Sequence, residues 1–321
     1  MISLNNIVRS VTRLSAAHDT EKLNILTMCN HDEKYIELLC KTGHNFFIPE
    51  NTTWNNLVAS KPNNIQTLNL SCEPLDFLIC YNRAEQYDEA IKIARSLYLP
   101  IILVDMAGKE LIRPQHIMEH VQARDKSLLN KKPILQVSCS EYIQKEWNYL
   151  DSISHIIPIG IDTEKFTNNP QYNDTIIAVD NHTIPQVGQA IEARLNKYKC
   201  MPTDHDDPTN ITVNNAKYFI NTNKTVTIKM LEAMSAGAVV IAFPSPDIEN
   251  VITSEETGII LKDIDDLTPT LEKLEGSIDL VKNIQSNARK LIIQEHSVDN
   301  FINKWLAALH IIKPTFYTPH I

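Results

Sequence analysis

Residues 225–262 read TVTIKMLEAMSAGAVVIAFPSPDIENVITSEETGIILK, and the changes of pattern within them decide the fold. A polar loop ends near Thr227, and Ile228–Ala236 follows with the composition of a helix whose apolar residues recur at three and four. Gly237 stands where such a helix stops, because glycine takes the left-handed conformation without strain. Ala238–Ala242 is then a short unbroken apolar run, as expected of a strand covered on both faces, and Gly258–Leu261 is a second one. Helix, tight stop, buried strand and short strand make a unit of a parallel α/β sheet.

Outward from this stretch the same alternation fills the chain. Apolar runs of strand length occur at Leu23–Met28, Phe77–Cys80, Ile101–Val104, Ile134–Val137, Thr175–Val179 and Tyr218–Ile220. Helical patterns lie between and after them at Ala84–Leu97, Ser140–Tyr149, Ile184–Lys199 and Leu280–Gln294, with a last amphipathic helix at Ser297–Leu309. Alternating strands and helices predict doubly wound parallel sheets. A length of 321 residues favours two cores over one. The polar stretch between Asp162 and Asn173 interrupts the pattern, so the expected division is 1–165, 166–296 and a closing segment 297–321. Leu4, Ile7, Val8, Val11 and Leu14 predict an additional N-terminal helix, a candidate for docking a protein or virion partner.

Seven glycines, no two closer than Gly258 and Gly276, leave no room for GxGxxG or a P-loop, so the common dinucleotide and NTPase fingerprints are excluded. No serine stands in G-x-S-x-G. A formal charge of −9 opposes a broad nucleic-acid-coating surface, although six basic residues against three acidic ones between Lys109 and Lys132 form a local basic stretch. The six cysteines include no CxxC pair and read as reduced thiols. No run approaches the roughly 18 apolar residues of a membrane span, and the first residues lack a secretory core, so a cytoplasmic location is expected, host cytoplasm if the source is a phage. Asp204-His205-Asp206-Asp207 has the look of a metal-binding D-x-D but lies in a proline-flanked loop, and no metal is expected there.

A second block, VSCSEYIQKEWNYLDSISHIIPIGIDTEKF at 137–166, gives a strand, a helix opened by Ser140 and Glu141, a short strand at His155–Ile157 and a turn through Gly160. Together with 225–262 it resembles the retaining GT-B family of sugar-nucleotide-dependent glycosyltransferases, number four in the usual classification. The shared elements are V-S-x-S-E-Y, I-P-x-G-I-D-x-x-x-F, L-E-A-M-x-x-G and T-G-I-I-L in this order. NILTMCNHDEKYIELLCKTGHNFF at 24–47 and VDNFINKW at 298–305 further resemble glycosyltransferase-like proteins of tailed phages. The resemblance implies an α/β GT-B fold, two Rossmann-like doubly wound domains facing a cleft. It implies a UDP-, GDP- or ADP-sugar donor, retention of configuration and no metal requirement.

Within that resemblance Glu232 matches the carboxylate that accepts hydrogen bonds from the nucleotide ribose. Thr225, Val226, Thr227 and Ile228 form the approach to a helix N-terminus that suits a diphosphate, with the threonine hydroxyls as added donors. Gly160 marks the domain junction. Three positions depart from the family. Lys224 replaces the carboxylate that holds the donor sugar, no histidine stands near Val104-Asp105-Met106, and Val179-Asp180-Asn181-His182 replaces the basic pair that clamps the diphosphate. Lys224 and Asp105 are the candidates for the missing catalytic functions. The expected acceptors are a hydroxylated base in phage DNA, or a glycan. The alternative expectation is a catalytically silent relative serving as a binding or virion-associated module.

Overall fold

The computed structural model describes residues 22–28, 33–50, 52–56, 59–68, 75–81, 84–109, 133–147, 154–167, 176–180, 191, 193–203 and 211–315. The expected N-terminal helix, most of the basic stretch between Lys109 and Lys132, and the Asp204–Asp207 cluster lie outside them. The described residues fall into two compact units, one ending at Pro158 and resuming at Ile302, the other running from Ile159 to Phe301.

In the first unit seven strands form one parallel sheet: β1 (Asn24–Thr27), β2 (Asn45–Ile48), β3 (Ile65–Thr67), β4 (Phe77–Tyr81), β5 (Ile101–Asp105), β6 (Leu135–Ser138) and β7 (Ser154–Ile156). Their order is β3-β2-β1-β4-β5-β6-β7, with Ile25 beside Phe77 and Leu78 beside Ile101 in register. β4 and β5 are buried at every position, which explains why their sequences are apolar throughout and do not alternate. Helices α1 (Glu33–Cys40), α2 (Ala84–Ser96) and α3 (Glu141–Glu146) connect them. One side of the sheet packs Leu26, Leu78 and Leu103 against Ala90, Ile91 and Ala94 of α2. Ser140 caps α3 by accepting the Ile143 N–H at 3.2 Å, as its sequence position predicts.

The second unit is built on β8 (Ile176–Asp180), β9 (Lys199–Thr203), β10 (Tyr218–Asn221), β11 (Val239–Ala242) and β12 (Ile259–Ile260). They form a parallel sheet in the order β12-β11-β10-β8-β9. Its helices are α4 (Ile211–Asn215), α5 (Ile228–Ala236), α6 (Pro246–Glu249), α7 (Leu267–Glu275) and α8 (Ile278–Glu295). Ile177, Tyr218, Val239 and Ile241 pack against Leu267, Leu271 and Ile284 to form its core. Fully burying each such side chain stabilises by about 1.5–3 kcal/mol. α9 (Val298–Thr315) begins in this unit, and its part from Ile302 is grouped with the first.

The segment Ile159–Phe166 is tied into the second unit. The Ile161 N–H donates to His296 O at 2.6 Å. Arg289 Nη1 donates to Phe166 O at 2.8 Å and to Ser235 O, and its Nη2 donates to Thr163 O at 3.3 Å. Gly160 is required here by close approach, since a Cβ at that position would lie 2.7 Å from Phe301 Cβ.

Several elements differ from the sequence expectation. The helix expected to reach Lys199 stops short, because Lys199 opens β9. β9 escapes detection through Pro202, which a strand tolerates at the sheet edge that β9 occupies. α7 carries Pro269 in its first turn, where the missing N–H has no helical partner to lose. The last helix extends past Leu309 to Thr315. β2, β3 and α1 have no counterpart in the sequence reading.

Candidate functional site

In an open parallel sheet the ligand crevice forms where neighbouring strands send their connections in opposite directions. In the second unit that point lies between β8 and β10, since β9 flanks β8 on one side and β11 flanks β10 on the other. Asp180 and Asn221 are register partners at the C-terminal ends of these strands, polar residues closing otherwise apolar runs. Both are buried.

A polar network built on this pair shapes the loop from Asn221 to Thr227. Asp180 Oδ2 accepts from Asn223 Nδ2 at 3.0 Å and from the Thr227 hydroxyl at 3.4 Å. The Asp180 carbonyl accepts from Thr222 Oγ1 at 2.6 Å. Asn221 Oδ1 accepts the Asn223 N–H at 3.2 Å, while its Nδ2 reaches the carbonyls of Asn223 and Thr225, both at 3.4 Å. From the other side, Asp247 of α6 accepts the Val226 N–H at 2.8 Å and Ser245 Oγ donates to Lys224 O at 2.5 Å. The loop backbone is therefore held at both flanks.

Thr227 is the N-cap of α5, its hydroxyl oxygen accepting the Met230 N–H at 3.1 Å. With its own proton directed at Asp180, Thr227 is an organiser of the helix start, where the sequence reading made it a donor to ligand. Thr225 is buried. The cap consumes one of the N–H groups that every helix start leaves without an intrahelical acceptor, and those of Ile228 and Lys229 belong to the same turn. Gly237 ends the helix at φ 84°, as expected.

Lys224, Thr225, Val226, Thr227, Ile228 and Glu232 are thus brought together on one loop and helix. The Lys224 side chain is exposed. Glu232 is buried, contrary to the solvent-facing position of an ordinary helical glutamate, and its Oε2 lies 3.9 Å from Lys229 Nζ, also buried. A lysine in the first turn of a helix opposes the macrodipole, and burying a charge pair of this kind brings little net stability. Gly160 lies against Phe301. Asp105 belongs to the first unit, fully buried at the end of β5, its carbonyl accepting the Cys139 N–H at 3.1 Å. Asn181 and His182 lie outside the described residues. Among the described residues no group of three or more His, Cys, Asp or Glu side chains could hold a metal, and no helix is long and apolar enough to cross a membrane.

Sequence reasoning missed Asn221, Asn223, Asp247 and Lys229, and singled out Asp180 only as a place where a basic residue is missing. The available signal was the polar residue ending each apolar strand of the switch point.

Comparison with known proteins bears on the same half of the chain. Residues 203–307 match the family described as glycosyl transferase-like. No curated protein sequence matches the chain. Among solved structures, Anabaena HepE in complex with UDP and glucose superposes with a TM-score of 0.74 at 12% identity, covering 90% of this chain and 100% of that one. Sucrose-phosphate synthase from Thermosynechococcus elongatus gives 0.68 at 12% identity, over 92% of this chain and 100% of that one. A Rickettsia africae glycosyltransferase gives 0.65 at 14% identity, with coverages of 93% and 100%. The chain has a GT-B fold of two Rossmann-like units, and its residues 203–307 are similar to the family described as glycosyl transferase-like.

Proposed function

We propose that this protein transfers a sugar from a nucleotide-sugar donor to an acceptor hydroxyl with retention of configuration. The observation that carries the reading is the braced loop Asn221–Thr227 at the switch point of the second sheet, leading directly into α5. The family match over residues 203–307 and the UDP and UDP-glucose complexes of HepE support a nucleotide-sugar donor.

In this reading the first-turn N–H groups of α5 face the diphosphate, and Glu232 accepts the ribose hydroxyls. Lys224 supplies the fixed cation that the leaving phosphate needs as its charge develops, worth several kcal/mol when preorganised (~3 kcal/mol for a single good donor). The acceptor hydroxyl approaches the face from which the phosphate departs and gives its proton to a phosphate oxygen. The acceptor is a glycan or a hydroxylated base in DNA. The exposed Lys224, in place of a donor-holding carboxylate, favours one competing reading, a relative that binds the nucleotide without turnover.

Thermal unfolding with a panel of UDP-, GDP- and ADP-sugars tests the proposal, since ligand at a hundredfold excess over Kd adds about 2.7 kcal/mol. One donor is expected to stabilise the protein and Glu232→Ala to remove most of that effect. Stabilisation by none of them would overturn the reading. Donor hydrolysis or transfer, followed by nucleoside diphosphate release, separates an enzyme from a silent binder.

A further inference from the structure

Helix α5 is enclosed, with every residue from Lys229 to Ala236 buried. Within it stand two charged side chains, Lys229 and Glu232, and they face each other as an ion pair, Nζ to Oε2 at 3.9 Å, with side-chain exposures of 5% and 6%. Residues three apart share one face of a helix, so Lys229 lies on the face of Glu232, about 4.5 Å nearer the helix start. The pairs Lys145–Glu141 and Lys273–Glu255, by contrast, are more than half exposed and keep their water. Apolar side chains of similar volume at 229 and 232 would hold the helix as well or better, and they would not set a cation against the macrodipole in the first turn. Stability does not account for the pair.

What the pair does is fix a carboxylate. A glutamate has several rotatable bonds, and a ligand that needs it in one rotamer must otherwise order it on binding. A cation rooted on the same helix, on the Oε2 side, holds the carboxylate turned one way beforehand. We infer that Lys229 is a positioning residue, which by fixing Glu232 sets the discrimination of this site between ribose and deoxyribose. The inference rests on the function proposed above, in which Glu232 accepts the ribose hydroxyls. An ionised carboxylate only accepts, so it recognises groups that donate, and a deoxyribose lacks one of them. A carboxylate held in place then keeps an unanswered oxygen and bears the full loss, whereas one free to turn finds another donor. Lys229 thus acts on selectivity through Glu232, without touching the nucleotide.

Equilibrium binding of UDP, GDP and ADP, and of their 2′-deoxy counterparts, to the full chain by isothermal titration tests the inference. In the parent chain the diphosphate that binds most tightly is expected to exceed its deoxy form by about tenfold or more. Lys229→Met should bring that ratio below about threefold and leave the affinity for the deoxy form nearly unchanged. Removing the lysine leaves a lone buried carboxylate, so Glu232→Gln and the uncharged double variant are measured beside it and decide the matter should Lys229→Met not fold. These two chains should match each other in affinity and in ratio, because a lysine that acts through Glu232 has nothing left to act on. An undiminished ratio in Lys229→Met, equal weakening of both nucleotide forms, or weaker binding by the double variant than by Glu232→Gln would each overturn the inference; the last two are the marks of a structural lysine and of one that touches the nucleotide. A parent chain that binds a diphosphate without preferring ribose overturns this inference alone. A parent chain that binds none of the diphosphates overturns the proposed function, and this inference with it.

Discussion

Asn223 donates its side-chain amide to Asp180 at 3.0 Å, across a gap between the ends of two neighbouring strands. The same carboxylate oxygen receives Thr227, so Asp180 ties the end of β8 to the cap of α5. Asp180→Ala leaves a buried amide and hydroxyl unanswered. It is expected to destabilise the protein by about 2–3 kcal/mol in urea denaturation and to weaken any nucleotide stabilisation. Asp180→Asn keeps an acceptor oxygen and should lose less than half as much. Equal losses in the two variants would mean that the negative charge, and not an acceptor oxygen in that place, carries the stabilisation.

Asp180 also shows which parts of the site the sequence reveals. The ends of α5 are readable because cap and stop are local: Thr227 accepts from a residue three positions on, and Gly237 needs only its own φ. The resemblance directs attention to Asp180 as a place where a cation is missing. What it does is set by Asn223 and Thr227, forty-odd positions away in sequence, and such pairings leave no periodicity. β9 and α7 are obscured for a different reason, since each contains a proline in a position that its element tolerates. Glu33 resembles any exposed first-turn acid until the fold buries it.

Arg289 gathers three carbonyls, those of Thr163, Phe166 and Ser235, and so fastens Ile159–Phe166 to α5 and α8. Arg289→Met is expected to destabilise the unit by about 2–3 kcal/mol, the range for hydrogen bonds to a charged group. Faster amide hydrogen exchange confined first to residues 159–167 is the signature to look for. Arg289→Lys should recover only part of the loss, because one ammonium cannot reproduce the planar fork.

Gly160→Ala places a methyl carbon 2.7 Å from Phe301 Cβ. The expected cost is about 1–3 kcal/mol, as for other overpacked sites, measured as a lower urea midpoint. The clash is with Cβ, so Phe301→Leu in the Gly160→Ala background should fail to restore stability. Recovery in the double variant would show that the ring, and not the backbone approach, sets the limit.

Alkaline pH should weaken the fold through groups that it keeps protonated. Burial pushes the Cys80 thiol well above its ordinary value, and the Asp105 carboxylate acts in the same direction. Burial, followed by Glu275, raises the Tyr198 and Tyr218 phenols. In each case the unfolded chain releases its proton first. The stabilisation is complete below the unfolded thiol value of about 8.5 and declines as pH rises beyond it toward the folded value, with the phenols adding to the decline above about pH 10. Urea midpoints should therefore be flat up to roughly pH 8 and fall from there. Cys80→Ala, whatever its effect at neutral pH, should flatten the first part of that fall. Cys80 donates to Ile102 O at 3.7 Å within the sheet, so in the native protein it should react with a thiol reagent far more slowly than the half-buried Cys200. Equal reaction rates for the two thiols, or an unchanged pH slope in Cys80→Ala, would contradict this account of the alkaline limit.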